Sequence, residues 1–539
     1  MAEDFENGVN GATGEYLFPQ SSVKAIAAVA KTTAPDKPHL DDLKARARTL
    51  RLSQAPAAWV DPSELANAGW GVIFPEIYQG DQLEALKSDD GLGLLLKHRQ
   101  KQAAQQVETY YRECFYKAGQ SKNDFLKAHK IPTSGAVDPD KGMPYYLLIV
   151  GDPEAIPYEF QYQLDVQYAV GRIYFDILDE YAYYAQSVVR AETNQVERSR
   201  QISFWGTRNR GDQATKLSSE NLIKPLSTWL TSGKAPGWEC PTLLAEEATK
   251  ENLVQQFNRN SAPAILFTAS HGVGYPSGDP LQKEFQGALV CQEWKPFSGQ
   301  PDPETQLFSA ADIAPDANLH GLIAFHFACY GLGTPQFNDF KQHDGEKQLA
   351  EAPFIARLPQ RLLSHVKGGA LAVIGHVDRA FSDSFQSSGI KQLAVFQSVL
   401  KCLIDGRPVG YAMEFFNQQY AELTSDCNLG IRNGDMTDKA IASLWTGSTN
   451  ARNYAVFGDP AVKVAVGQLS TNDSTKMEAR VWFERSHNPN KATPRALASS
   501  KEELEITINQ LTNRIKELEE QVKTLQAENE QLGDQVGRL

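Results

Sequence analysis

"ILFTASHGVGYPSGDP", residues 265–280, drives an apolar run into a turn of small residues and leaves a histidine, His271, at its tip. "GLIAFHFACYGLGTP", residues 321–335, repeats the arrangement with a cysteine, Cys329. A short continuous apolar run stopped by Gly and Pro reads as a strand buried on both faces of a parallel sheet. The same texture returns in "YYLLIVGDPEAIP", "QYAVGRIYFD", "RQISFWGT", "GGALAVIGHV" and "NYAVFGDPAVKV". Between these lie stretches of helical character, among them "ILDEYAYYAQSVVRAE", "SSENLIKPLSTWLTS" and "IKQLAVFQSVLKCLIDG". The alternation predicts an α/β fold, a mostly parallel sheet flanked by helices. In such sheets ligands bind outside the carboxyl ends of the strands. His271 and Cys329 are both expected at that edge.

Composition narrows the functional classes. The chain has 539 residues and a formal net charge of −13, with no dense Lys/Arg block, so a nucleic-acid partner is not expected. Six cysteines (Cys114, Cys240, Cys291, Cys329, Cys402 and Cys427) lie far apart without a CxxC pair. That spacing indicates neither a zinc site nor a disulfide framework. The opening "MAEDFENGVNGATGEY" lacks the apolar core of a signal peptide. No apolar run approaches the ~20 residues that span a bilayer. These features predict a cytoplasmic protein with reduced thiols and no membrane partner.

Six regions are expected. Residues 1–37 mix Gly, Ala, Thr and Pro without period and read as a flexible arm. Residues 38–140 read as mainly helical, with "LGLLLKHRQKQAAQQVETYYREC" as a long amphipathic helix and "GWGVIFPE" as a strand within the region. Residues 141–245 form a first α/β subdomain, 246–465 a catalytic subdomain, and 466–501 a polar linker. Over 502–539, Leu504, Leu511, Leu518, Leu525, Leu532 and Leu539 recur every seventh position. Ile508, Ile515, Val522 and Val536 make a second row, with Asn529 in register. β-Branched residues at a and leucine at d favour a parallel two-stranded coiled coil, and one asparagine at a fixes its register. A homodimer through Leu504–Leu539 is expected. A single helix docked on the body is the alternative, and it calls for a wider apolar stripe.

The chemistry follows from the two tips. Cysteine attacks as the thiolate, and a nearby imidazole can take its proton and pass one to a leaving amine. Adjacent parallel strands would bring Cys329 and His271 into one crevice. Gly272, Ala328 and Gly331 leave room for a substrate backbone. The amides of Gly272 and Cys329 are candidates for an oxyanion hole. Each residue has a plainer reading: a strand-end cysteine is usually inert packing, and His271 alone would be an ordinary turn histidine. His326 competes for the base role, but three positions before Cys329 in a strand it faces the other way. Cys291, in "GALVCQEW", is the rival nucleophile and lacks a small-residue turn.

Strand-His-Gly followed by strand-Ala-Cys resembles the dyad of the caspase-like (clan CD) cysteine peptidases. Over about residues 144–465 the chain is most similar to the gingipain-type catalytic domain, and it is also similar to CHAT-domain proteases. The Val-Gly-Asp strand end, the "YAVGRI" strand, the "SSENLI" helix and the closing "YAVFGDPAV" stretch occur in the matching order. The resemblance implies a caspase-haemoglobinase fold. It implies a cysteine endopeptidase acting on protein or peptide substrates through an acyl-enzyme, with Cys329 and His271 as the catalytic pair. In relatives that select Arg or Lys before the scissile bond, an acidic residue upstream of the "EN" helix lines the pocket. Asp212 falls near that place, with Asp378 in "GHVDRAF" as the other candidate. A solvated loop aspartate is the plainer reading of Asp212. No metal or organic cofactor is implied, although structural calcium is compatible with the Asp-containing loops. Two departures stand out: the connection from His271 to Cys329 is longer than in gingipains, and the glutamate that orients their histidine is not evident in "SFWGTR". An intracellular processing or signalling role is expected. The rival from another class is a catalytically silent scaffold that uses the fold and coiled coil to bind proteins. A third reading is a latent enzyme activated by a protein partner at residues 1–140 or at the coiled coil.

Overall fold

"ILFTA" and "IAFHF" are buried on both faces because they lie side by side inside a ten-stranded sheet. The computed structural model describes residues 5–17, 22–33, 35–49, 56–57, 59–258, 262–340, 348–387 and 390–467. The strand order is Tyr111–Tyr116, Trp70–Pro75, Tyr146–Val150, Ala169–Ile173, Tyr454–Gly458, Ala372–His376, Ile323–Phe327, Pro263–Ala269, Ser199–Gly206 and Thr242–Leu244. All neighbours are parallel except Ala372–His376 and Tyr454–Gly458, which pair antiparallel. The sheet is thus mixed, mostly parallel and flanked by helices. Register is fixed by large side chains in pairs, as where Phe325 sits opposite Phe267 with the rings stacked 4.5 Å apart.

Two motifs of the sequence explain each other. Asp152, after Tyr146–Val150, accepts from the amides of Glu154 and Ala155 and so folds the Gly-Asp-Pro turn. Arg172, on the neighbouring strand, donates to the carbonyls of Gly151 and Ile156 and to Gln161. The wholly buried guanidinium therefore fastens that turn from below. Asp459 plays a similar part at the closing strand. It receives Arg99 Nε at 2.7 Å and Trp70 Nε1 at 3.0 Å, tying the last strand to the first hundred residues.

Three regional expectations meet a different arrangement. The long helix expected over 92–114 stops after Gly93–Ala103, and Tyr111–Tyr116 is an edge strand. Aromatic residues at 111, 115 and 116 favour the extended form, and Cys114 and Tyr116 pack inward while Phe115 is exposed. The region 38–140 thereby adds two strands to the common sheet, and the described residues group as one compact unit. Parts of the expected arm are packed rather than free: Val23–Thr32 is a helix capped by Ser22, with Ala27, Val29 and Ala30 in a cluster with Ile441 and Trp445. Gly8–Asn10 is a buried strand. The linker beyond residue 467 and the coiled coil expected over 502–539 lie outside the described residues. Among the described residues, no helix is long and apolar enough to cross a membrane.

Candidate functional site

Four strands deliver their carboxyl ends to one edge. Ser199–Gly206 leads to Asp212, Pro263–Ala269 to His271, Ile323–Phe327 to Cys329, and Ala372–His376 to Asp378 and the following residues. Gly272 lies directly on the Cys329 backbone: a Cβ built there would stand 1.8 Å from the Cys329 carbonyl oxygen. The amides of Gly272 and Cys329 donate to one and the same oxygen, at 2.9 and 3.0 Å. The two small-residue turns therefore converge, as their sequence suggests. That oxygen is the carbonyl of Asn7.

His271 is wholly buried, and its ring lies 5.5 Å from Trp294 and 5.9 Å from Tyr16. Its Nε2 meets Asp212 Oδ2 at 2.8 Å, while Nδ1 has no hydrogen-bond partner. A proton on Nε2, donated to the carboxylate, leaves the lone pair on Nδ1. Asp212 caps the helix Gln213–Leu217 through the Thr215 amide at 2.9 Å, and Tyr16 donates its hydroxyl to Oδ1 at 2.5 Å. Burial acts to raise the Asp212 carboxyl, but His271 and the hydrogen bonds from Thr215 and Tyr16 outweigh it and hold the carboxyl well below the usual carboxylate range. Sequence reading places Asp212 in a specificity pocket and looks for the orienting acid in "SFWGTR". In the structure, Asp212 lies beyond the end of the strand and meets the His271 ring instead, with both of its oxygens engaged.

Cys329 is also wholly buried. Ala380 donates its amide to Sγ at 3.2 Å. Burial, with Glu6 nearby, pushes the thiol well above its ordinary value. The two rivals take other places. His326 is buried, with Nδ1 2.8 Å from Thr268 Oγ1, and burial lowers it to about 4. Cys291 is buried on a two-residue-strand turn whose preceding amide, Val290, donates to the His271 carbonyl.

Asp378 adopts φ 100°, a backbone region that L side chains seldom occupy, and its carbonyl accepts the Tyr330 amide at 2.7 Å. Its carboxyl is buried without a hydrogen-bond partner, and Arg379 Nε stands 3.7 Å away. Burial dominates and lifts the carboxyl to about 7. The folded state then holds a proton that the unfolded chain releases near pH 4, so this group's contribution to stability falls as pH rises from about 4 to 7. Asp378→Asn is expected to remove that decline, roughly 4 kcal/mol at full extent. Urea denaturation of both forms at pH 5 and pH 8 measures it; equal pH dependence of the two forms contradicts the assignment.

Sequence reading misses the segment that fills the site. Residues 5–17 carry no apolar period, and their placement comes from pairing across the fold. Gly8, Gly11 and Gly14 were the available signal, since glycine permits close backbone approach. The long connection between His271 and Cys329 forms strands Leu289–Val290 and Leu307–Phe308, which join Gly272–Gly274 and Gly8–Asn10 in a four-stranded sheet. Among the described residues, no group of three or more His, Cys, Asp or Glu is placed to hold a metal ion.

No protein-family model matches the chain, and no curated protein matches it. A solved structure described as "Structure of Protease" is similar at a TM-score of 0.44 and 12% identity, covering 77% of this chain and 81% of the other.

Proposed function

We propose that the chain is a cysteine endopeptidase in which Cys329 is the nucleophile, His271 carries the proton and Asp212 orients the imidazole. One observation carries this reading: a peptide carbonyl oxygen is held jointly by the Gly272 and Cys329 amides beside the Cys329 thiol. Two backbone donors fixed on one oxygen are what a tetrahedral oxyanion needs, and they require no reorganisation during reaction. The His271–Asp212 pair supplies the second element. With Nε2–H directed at the carboxylate, Nδ1 is free to take the thiol proton and return it to the leaving nitrogen. Sγ adds to the carbonyl carbon, the C–N bond breaks, and water then releases the thioester.

A preference for Arg or Lys before the scissile bond gains no support from Asp212, whose oxygens are taken by His271, Thr215 and Tyr16. Action on intracellular protein substrates as a coiled-coil homodimer is part of the proposal; a latent enzyme activated by a partner is a separate reading. The test is chemical labelling. A peptidyl acyloxymethyl ketone is expected to modify Cys329 and none of the other five cysteines, with Cys329→Ala unlabelled by intact-protein mass spectrometry. Absence of any label after the site has been opened with mild denaturant, then restored, would favour the silent scaffold instead.

A further inference from the structure

The oxygen in the two-amide site belongs to the protein's own chain, and the residues around it run as a bound substrate would. Phe5 to Asn7 pair antiparallel with residues 380–382: the Asn7 amide donates to the Ala380 carbonyl at 2.8 Å, and the Ser382 amide donates to the Phe5 carbonyl at 2.8 Å. Phe5 N also donates to Ser382 Oγ at 3.0 Å. On the other side of Asn7, Gly8–Asn10 lies parallel to Gly272–Gly274, with Gly8 opposite Gly272. Adding a strand to an exposed edge is a general way to bind an extended peptide, with backbone bonds giving affinity and alternate side chains giving selectivity.

The junction of these two halves is Asn7–Gly8, and the thiol sits against it. A Cβ added to Gly8 would come within 2.9 Å of Cys329 Sγ. Glycine is therefore the residue that lets the thiol this close. The Asn7 side chain is wholly buried, its Nδ2 donating to the Ser270 carbonyl at 3.2 Å and to Ser218 Oγ at 3.4 Å. Neither Asp212 nor Asp378 is among its hydrogen-bond partners. Glu6 reaches Arg379 at 3.3 Å, and that guanidinium lies over the rings of Phe340 and Phe381.

Resting on the cysteine-peptidase reading, we propose that the Asn7–Gly8 peptide bond is a cleavage site of this chain's own Cys329 centre, which selects asparagine before the scissile bond. His271 Nδ1 takes the Cys329 proton as Sγ bonds to the Asn7 carbonyl carbon, and the oxyanion rests on the Gly272 and Cys329 amides. The bond to the Gly8 nitrogen breaks and that nitrogen receives the proton, leaving Asn7 as a thioester. Water adds to the thioester, the C–S bond breaks, and the products are a carboxylate at Asn7, a free amine at Gly8 and the restored thiol. Selection follows from the donor at Nδ2: an aspartate would set a carboxylate oxygen against the Ser270 carbonyl, and an arginine would find a carbonyl and a hydroxyl there with no carboxylate to pair its charge.

The experiment follows intact mass and new amino termini of the full-length protein in reducing buffer. Wild type is expected to acquire a terminus at Gly8, Cys329→Ala to stay whole, and Asn7→Asp, nearly isosteric, to be cut at least 10-fold more slowly. An intact wild-type chain overturns the inference. So does an unchanged rate in Asn7→Asp, or equal cleavage in Cys329→Ala, which would be spontaneous Asn-Gly chemistry. Phe-Glu-Asn, Phe-Glu-Arg and Phe-Glu-Asp amide reporters run in parallel keep the two failures apart. Cys329-dependent hydrolysis of any reporter leaves the peptidase reading standing without this site, and hydrolysis of none removes both.

Discussion

Alanine at Cys329 is expected to abolish peptide hydrolysis, and asparagine at Asp212 to lower kcat by about 10³–10⁴-fold with the fold intact. The first loss has no substitute group: Ala380, Gly272 and the Cys329 amide still surround the carbonyl, but nothing can form the thioester. Removing a nucleophile from a coupled set costs about 10⁶-fold in kcat, and further deletion of the base then adds little. Cys329→Ala and Cys329→Ala/His271→Ala should therefore be equally inactive. The Asp212 effect is graded because the ring stays in place while its tautomer changes. An asparagine amide at 2.8 Å from Nε2 can donate, which favours the proton on Nδ1 and removes the lone pair that accepts from the thiol. Aspartate held well below the usual carboxylate range stays ionised across the assay range, so wild-type activity should show no Asp212 limb above pH 5. Measured kcat against pH for wild type and Asp212→Asn checks both statements. An Asp212→Asn enzyme with the wild-type rate would falsify the orienting role.

The local pattern of the sequence carries the sheet and the edge where His271 and Cys329 lie, since each depends on a few neighbouring residues. A short, mostly apolar run broken by Ser-His-Gly or Ala-Cys-Tyr-Gly is of strand length and reads as the end of a buried strand, and neighbouring parallel strands bring such ends together. The same reasoning separates His326 from His271, because strand alternation turns His326 toward Thr268. What the pattern does not carry is pairing between distant segments. Tyr111–Tyr116 reads as the tail of a helix until Trp70–Pro75 offers it a parallel partner. Residues 5–17 read as an arm because their apolar content is small. Their order comes from backbone bonds to Ala380, Ser382, Gly272 and Gly274, which leave no trace in composition. Asp212 shows the intermediate case. Its position before a helix is legible as a cap, whereas its second oxygen-bound partner, His271, depends on the long-range neighbourhood of two strands.

Alanine at Gly272 is expected to cost about 10²–10³-fold in kcat/KM, the loss that follows removal of one oxyanion donor. The cause is steric and specific to this glycine. The added methyl would lie 1.8 Å from the Cys329 carbonyl oxygen and 3.0 Å from the Cys329 nitrogen, all backbone atoms of the neighbouring strand end. No side-chain rotation relieves that overlap, so the two amides must separate and can no longer share one oxygen. Gly274, two residues on, provides the control. A methyl there meets the ends of Leu17 and Tyr330, side chains that can yield. Gly274→Ala is therefore expected to retain hydrolysis within about 10-fold, the overpacking appearing as a loss of about 1–3 kcal/mol in folding stability and not in rate. Reporter kinetics on both variants, with circular dichroism to confirm folding, separate these outcomes. Because the Gly272 methyl would meet the Cys329 backbone while the Gly274 methyl would meet Leu17 and Tyr330, a catalytic defect confined to Gly272→Ala assigns the loss to the amide pair, and equal defects in both variants would assign it to displacement of residues 5–17 instead.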